Sequence, residues 1–220
     1  MPSGQVGLRG EPTTLLLVCG VLGPLVYIGT DFLAALLYPG YSYTTQAPSE
    51  LFAIGAPTSR LVVPLFGLFS VLLIAFAFGV WLSADGSRVL HVLAIMVAAN
   101  GIDSLLLWNF FPMHMRGVEP TFTDKMHLIL AVNPFVLVSI VLGAVAFRTW
   151  FRFYSIATIV ILVVLATMAF LYVPQVVAQQ STPWLGLCER LSQYAHQVWH
   201  VVLAIVLLRS RTYRASPDQG

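Results

Sequence analysis

The chain has 220 residues, of which 58% are apolar and only 9% carry a formal charge, 11 basic and 9 acidic. A soluble domain has about 25% charged residues and needs them to cover its surface. The composition excludes a soluble enzyme and a disordered chain, and a net charge of +2 without a polybasic run excludes a nucleic-acid partner. It predicts an integral membrane protein whose main partner is the lipid bilayer.

Six apolar segments are long enough to cross the roughly 30 Å hydrocarbon layer, which takes about 20 residues of helix. They must be α-helical, because an open strand would leave backbone groups unpaired in lipid. In chain order the predicted spans are Thr14–Leu37, Leu61–Leu82, Val89–Phe111, His127–Phe147, Phe153–Val177 and Leu185–Leu208. The prediction is therefore an all-α protein with one six-helix bundle over residues 14–208 and tails at 1–13 and 209–220.

Two further patterns within the spans predict structure rather than chemistry. Asn133-Pro134 predicts a kink or a helix-start adjustment in the fourth span rather than a site, because proline cannot continue the helical hydrogen bonding. Tryptophans near span ends are typical of interfacial anchors, and Trp199 lies deeper and is interpreted as a packing residue. The four near span ends are Trp81, Trp108, Trp150 and Trp184.

Basic residues in the short flanks predict the orientation of the bundle. Seven arginines lie in the amino tail, the second and fourth connections and the carboxyl tail, against four basic residues in the other connections and helix ends. The seven are Arg9, Arg88, Arg148, Arg152, Arg209, Arg211 and Arg214. We therefore expect both termini to be cytoplasmic and the three long connections, around residues 38–60, 112–126 and 174–183, to lie outside. The short loops and tails favour a bacterial plasma membrane.

Ionisable side chains gather in the predicted outer half of the bundle, with six of the nine acids and four of the five histidines. Each such group costs roughly 2.5–3.5 kcal/mol or more inside a span and usually faces a partner or a wet cavity. Four polar residues of the last span follow at i, i+4, i+7 and i+11 and so share one helical face: Glu189, Gln193, His196 and His200. A neighbouring stripe consists of Arg190, Tyr194 and Gln197. We expect these stripes to pack inward.

Two histidines four residues apart on a helix can hold a zinc ion, and a third ligand from another span would leave an open position for water. His196 and His200 form such a pair, and His127 is the first candidate for the third ligand, with His114 the second. The candidate acids, bases or ligand-orienting groups are Asp103, Asp124 and Glu189. The alternative is that the histidine spacing is coincidental and these groups only hydrogen-bond between helices.

Five short motifs stand in order along the chain: L-G-P-L-V-Y at Leu22–Tyr27, P-G-Y-S at Pro39–Ser42, S-E-L at Ser49–Leu51, F-P near the end of the third span, and D-x-x-H at Asp124–His127. Together they resemble the six-helix membrane family catalogued as domain of unknown function 998, which is related to the Frag1-like membrane proteins. The resemblance covers nearly the whole chain, implies six helices and implies no particular activity.

A second resemblance concerns the last span alone. A-H-Q-V-W-H-V-V at Ala195–Val202 is similar to the final-helix motif of the alkaline ceramidase, adiponectin-receptor and haemolysin III superfamily. Those are seven-helix, zinc-containing membrane proteins, some of which hydrolyse lipid amides, and the likeness implies that His196 and His200 are zinc ligands. This chain has one helix fewer, and the superfamily's third histidine, serine and aspartate have no clean counterpart in it.

Three hypotheses for function follow from these patterns. The first is a metal-dependent hydrolase or transferase acting on a lipid, whose head group would meet the side chains of Arg116, Lys125, Arg190 and Tyr194. The second is a non-enzymatic protein whose polar cluster binds a lipid or a partner protein. In the third, the cluster only fixes helix packing. Transport is less favoured, because the chain has no inverted repeat and no paired broken helices.

Overall fold

The structure is a computed structural model that describes residues 10–215, so Arg9 and the extremes of both predicted tails lie outside the described residues. This part of the chain contains eight α-helices and one 3-10 helix and no β-strand. The helices are α1 Gly10–Leu37, α2 Ser59–Leu82, α3 Arg88–Phe110, α4 Phe122–Ala131, α5 Pro134–Ala146, α6 Trp150–Phe170, α7 Val173–Val177 and α8 Leu185–Ala215. The 3-10 helix spans Pro48–Phe52.

Six helical segments of the described chain are long and apolar enough to cross a membrane, in agreement with the sequence. Their bounds are Glu11–Leu37, Ser59–Leu82, Arg88–Phe110, Phe122–Ala146, Trp150–Val177 and Leu185–Ser210. The fourth span is α4 followed by α5, and the fifth is α6 followed by α7. The first and last helices run beyond the predicted Thr14 and Leu208, because helical hydrogen bonding does not have to stop where the apolar sequence stops.

The six spans pack in a ring that follows the chain order, and α8 closes the ring against α1. The tightest packing joins α1, α2 and α3, where large apolar side chains such as Phe66, Phe76 and Leu93 are fully buried. α1 and α2 approach closely at Gly79, where a Cβ atom would lie 2.9 Å from the backbone nitrogen of Leu17. Small residues at such crossings let membrane helices pack without a gap.

The fourth span is broken at the predicted position, and of the two predicted alternatives the helix start is the one observed. Asn133 adopts a left-handed conformation with a φ of 32°, and Pro134 begins α5, where a missing backbone N–H costs nothing. α5 packs against both α3 and α6, whereas α4 packs mainly against α3. Because of the break, α4 is separated from the fifth span, whereas α5 packs against it.

The three long connections meet at one end of the bundle, which we call the long-loop end: residues 38–58, 111–121 and 178–184. The 3-10 helix in the first connection is entirely buried. The backbone N–H of Ile54 donates to Met113 O at 2.8 Å, and that of Leu187 donates to Thr44 O at 3.1 Å. The first connection is thus folded down onto the second connection and onto α8.

Candidate binding cavity at the long-loop end

A cavity of about 610 Å³ lies among the helices at the long-loop end, with walls from α3, the broken fourth span, the fifth span and α8. Its volume is in the range of about 300–1,000 Å³ that is usual for small-molecule sites. Asn100 lines it and lies ten residues inside the end of α3 at Phe110, a depth of roughly 15 Å at about 1.5 Å per residue. The cavity therefore extends from the loops to about the middle of the helical bundle.

The last span directs one of its two polar stripes at this cavity. Glu189, Gln193 and His196 line it, as does Gln197 from the neighbouring stripe. His200 is fully buried beside the cavity, with ring centroids 6.0 Å from Phe76 and 4.3 Å from His196. The inward packing that we expected for the stripe is therefore observed.

Several buried polar groups around the cavity have no hydrogen-bond partner among the described residues. These atoms belong to cavity-lining side chains on three walls: Asn100 Nδ2, Asp103 Oδ2, Trp108 Nε1, Asn133 Oδ1, His196 Nε2 and Gln197 Oε1. An unpaired buried polar group costs about 1–3 kcal/mol, and native proteins contain few of them. Their concentration around one cavity is typical of a site that pairs with a bound group.

Two asparagines link the break in the fourth span to α3. Asn133 Nδ2 donates to Asn100 Oδ1 at 2.8 Å, so the left-handed residue is anchored across the bundle. The sequence interpretation of Asn133-Pro134, a kink or a helix-start adjustment, did not include this contact. An asparagine is one of the few side chains that readily adopts a left-handed conformation, which was the available signal.

Arg190 and Tyr194 lie in a buried network on the other side of α8 and do not line the cavity. Arg190 Nε and Nη2 donate to the two carboxylate oxygens of Asp31 at 2.8 and 3.1 Å, and its Nη1 donates to the carbonyls of Tyr43 and Gln46. Tyr194 also donates to Asp31. These two of the four residues that we predicted to bind substrate join α8 to α1 and to the first long connection.

Tyr41 also holds the first connection in its folded conformation. The Tyr41 hydroxyl donates to the carbonyls of Gln46 and Ala47 at 3.0 and 2.8 Å and accepts from Arg190. Burial raises the pKa of the Tyr41 phenol, so this hydroxyl keeps its proton and remains a donor. The loop above the cavity is therefore a packed part of the fold.

Arg116 ties the three long connections together. Its Nε and Nη2 donate to the Glu50 carboxylate at 2.9 and 2.8 Å, Nη2 also donates to Thr45 O, and Nη1 donates to Thr182 Oγ1 at 2.9 Å. Glu50 is only 1% exposed. Arg116 lines the cavity, but its charge is neutralised by Glu50. Lys125, the third basic residue predicted to meet a head group, is exposed on α4.

Asp124 has a structural arrangement that the sequence interpretation missed. It closes a capping box at the start of α4, accepting from Thr121 N at 2.8 Å and from Thr121 Oγ1 at 2.7 Å. The same carboxylate accepts from the backbone N–H of His114 at 2.7 Å and contacts its ring nitrogen at 2.9 Å. The T-x-x-D spacing at Thr121–Asp124 is the signal that predicts such a cap.

The described residues contain no group of three or more histidine, cysteine, aspartate or glutamate side chains that could hold a metal ion. His196 and His200 are adjacent, but His127 does not join them and instead contacts Phe111 O through Nδ1 at 2.8 Å. His127 lies five residues into α4 and His196 eleven residues into α8, or roughly 8 and 16 Å from the same end. The predicted zinc site of these three residues is therefore not formed in the described structure.

Trp108 corrects the expectation for interfacial tryptophans. It lines the cavity and packs in an aromatic cluster, with ring centroids 4.9 Å from Phe66 and 5.1 Å from Phe52. Trp199 is fully buried as expected and donates to Ser155 Oγ at 2.9 Å.

A family model described as a protein of unknown function, DUF998, matches residues 21–206. The chain belongs to this family. The match extends from the first span into the last, in agreement with the resemblance of the short motifs, and it assigns no activity. Neither a curated protein nor a solved structure matches the chain.

This DUF998 protein is thus a multi-pass membrane protein with a largely apolar cavity among its helices, into which several buried polar groups point. The predicted site residues that line this cavity are Asp103, Asp124, Glu189, His114, His127, His196 and Arg116. The amides of Asn133 and Gln197 and the indole of Trp108 were not predicted as site groups. Spacing along one helix could not reveal them, because they come from different walls of the ring.

Proposed function

We propose that this protein binds an amphiphilic lipid in the cavity without catalysing a reaction on it. The observation that carries the proposal is the combination of an apolar chamber with buried polar groups that are unpaired among the described residues. Such a chamber suits a molecule with a polar head and an alkyl chain, because each part meets a matching surface.

The cavity also has a route by which a lipid could enter from the side. Several residues that line it have large exposed fractions, and they stand on both edges of the gap between α4 and the fifth span. On the α4 edge Leu128 and Val132 are 39% and 60% exposed, and on the other edge Val163 and Phe170 are 44% and 42% exposed. An alkyl chain in this gap would touch apolar side chains and the surrounding lipid together.

Binding is favoured over the metal-dependent hydrolase because the chemistry of the hydrolase needs a third metal ligand. The likeness of Ala195–Val202 to the zinc-containing superfamily stays a prediction supported by the pairing of His196 and His200 alone. The three predicted catalytic acids all line the cavity, but Asp124 is engaged in capping α4, while Asp103 and Glu189 have no such role. We assign Asp103, Glu189 and His196 to contacts with the bound head group.

We propose, from the arginine bias, that both termini face the cytoplasm and that the cavity opens in the outer leaflet of a plasma membrane. Single cysteines at two exposed positions test this in a background without Cys19 and Cys188. Glu119→Cys, at the long-loop end, should react with a membrane-impermeant maleimide on intact cells, and Thr149→Cys, at the other end, should react only after lysis. The reverse pattern would invert the orientation.

The binding proposal is tested by filling the cavity. Ala166 on α6 lines the cavity, whereas Ala157 on the same helix is exposed and lies away from it. In nanodiscs of phosphatidylcholine that contain a single-chain diazirine lipid, the wild type and Ala157→Trp should cross-link through residues of α4, α6 and α7. Ala166→Trp should lose most of this cross-linking, and equal cross-linking of all three proteins would refute cavity binding.

A further inference from the structure

The ionisable groups around the cavity differ in whether they have a partner of opposite charge. The lining includes the carboxyl groups of Glu50, Asp103, Asp124 and Glu189, together with one guanidinium, that of Arg116. Glu50 pairs with Arg116, and Asp124 pairs with His114. Asp103 and Glu189 belong to none of the ion pairs of the described residues. The cavity therefore presents an excess of acidic groups.

These two carboxyl groups face the cavity from different walls and at comparable depth. Asp103 lies seven residues inside the end of α3, and Glu189 lies four residues inside the start of α8, or roughly 10 and 6 Å from the long-loop end. Asp103 is 9% exposed, and its Oδ2 has no hydrogen-bond partner in the described part of the chain. A group bound at this level would meet a carboxyl on each side.

The neighbouring amides add acceptors below the carboxyl groups. Asn133 Oδ1 and Gln197 Oε1 line the cavity, and within residues 10–215 no donor reaches either oxygen. Buried carboxylates need a cation or several donors to offset their lost hydration. A primary ammonium supplies both, since it carries one positive charge and three N–H donors.

An anionic head group would be repelled in this cavity rather than bound. The arginines that would neutralise a phosphate are engaged elsewhere, Arg116 with Glu50 and Arg190 with Asp31. A phosphate or carboxylate would therefore lie beside Asp103 and Glu189 without a free guanidinium among the described residues that line the cavity, and like charges in a medium of low dielectric constant repel strongly.

We infer that the cavity selects an amphiphile with a protonated primary amine in its head group, held between Asp103 and Glu189 with its alkyl chain in the gap beside α4. This inference rests on the proposed lipid-binding function and specifies the chemical class of the ligand. A primary amine is distinguished from a quaternary one because a trimethylammonium group has no N–H to donate to Asp103 Oδ2, which is unpaired in the described part of the chain.

The experiment compares four probes with the same alkyl chain: dodecylamine, dodecanol, dodecyl phosphate and dodecyltrimethylammonium. Each competes with the diazirine lipid for cross-linking to the wild-type protein in phosphatidylcholine nanodiscs. A probe can also reduce cross-linking by changing the bilayer. The reduction that each probe causes in Ala166→Trp, whose cavity is filled, measures this contribution and is subtracted. Charge-assisted hydrogen bonds are stronger than neutral ones, so dodecylamine should compete at a concentration about tenfold or more below that of dodecanol. Dodecyltrimethylammonium should be weaker than dodecylamine, and dodecyl phosphate weakest.

Two isosteric variants test whether the preference for the amine depends on the two carboxyl groups. Asp103→Asn and Glu189→Gln should each lower the advantage of dodecylamine over dodecanol by about tenfold, while dodecanol competes as it does with the wild type and so reports an intact cavity. Glu119→Gln changes an exposed carboxyl that does not line the cavity and should leave the advantage unchanged.

The outcomes separate this inference from the proposed function. Equal competition by all four probes, or a preference for dodecyl phosphate, would overturn the amine selectivity and leave lipid binding standing. An amine preference that survives both Asp103→Asn and Glu189→Gln would also overturn it. If the wild-type protein shows no cavity cross-linking at all, the proposed function fails and the inference fails with it.

Discussion

The ion pair between Arg190 and Asp31 is the single contact whose loss we expect to destabilise the protein most. Both side chains are buried, at 1% and 0% exposed. Asp31→Asn keeps the size of the side chain and removes its charge, which leaves the guanidinium with neutral partners, among them the carbonyls of Tyr43 and Gln46. Removing one partner of a buried ion pair costs about 3–5 kcal/mol. At about 1.4 kcal/mol per factor of ten, the ratio of folded to unfolded protein should fall by about two to four orders of magnitude.

The measurement is the unfolding of the purified protein in mixed micelles with increasing mole fraction of sodium dodecyl sulfate, followed by tryptophan fluorescence. Glu119→Gln, which changes an exposed carboxyl, should unfold within about 0.5 kcal/mol of the wild type. The double variant Asp31→Leu/Arg190→Met should be less destabilised than the sum of its single changes, because it leaves no unpaired charge. If Asp31→Asn unfolds together with the wild type, the ion pair is not the stabilising contact that its geometry indicates.

Three further predictions concern the loops, the helix crossing and the cap. Arg116→Ala should accelerate hydrogen exchange in residues 42–58 and 111–121 but not in α2, because Arg116 joins these connections; unchanged exchange, or an equal effect of Lys125→Ala, would contradict this. Gly79→Val should cost about 1–3 kcal/mol by overpacking against α1, whereas Gly29→Val, with nothing within 4 Å of its Cβ position, should unfold like the wild type. Asp124→Ala should cost about 0.5–2 kcal/mol through loss of the cap of α4, and an unfolding midpoint equal to that of the wild type would show that the cap is not needed.

The number of spans could be predicted from sequence because it depends on one property, the length of apolar chain needed to cross the hydrocarbon layer. The inward direction of the last span's polar residues followed from the cost of exposing such groups to lipid. What the inward face would meet could not be predicted in the same way. Helical spacing places Glu189 with His196 and Arg190 with Tyr194, but only the ring of helices directs the first pair to the cavity and the second to Asp31.

The zinc hypothesis shows the same limit at the level of a single ligand. An i, i+4 spacing is sufficient to bring His196 and His200 together, since both lie on one helix. A third ligand depends on the depth of a second helix relative to the first, and no local pattern encodes that depth. His127 lies too near the loops to join the histidine pair. Its ring contacts Phe111 O there and packs 5.8 Å from the ring of Phe52.

The contrast between two groups of polar residues in the same protein argues against a purely structural role for the cavity cluster. In the Asp31 and Glu50 networks every charged group has a partner, as expected where polar residues fix the packing of helices. Around the cavity the described structure leaves Asp103, Asn133 and Gln197 each with an unpaired oxygen. Apolar residues of similar size would avoid that cost, so packing alone does not account for these side chains. A bound head group that donates hydrogen bonds does account for them, because it pairs the same oxygens that the fold leaves free.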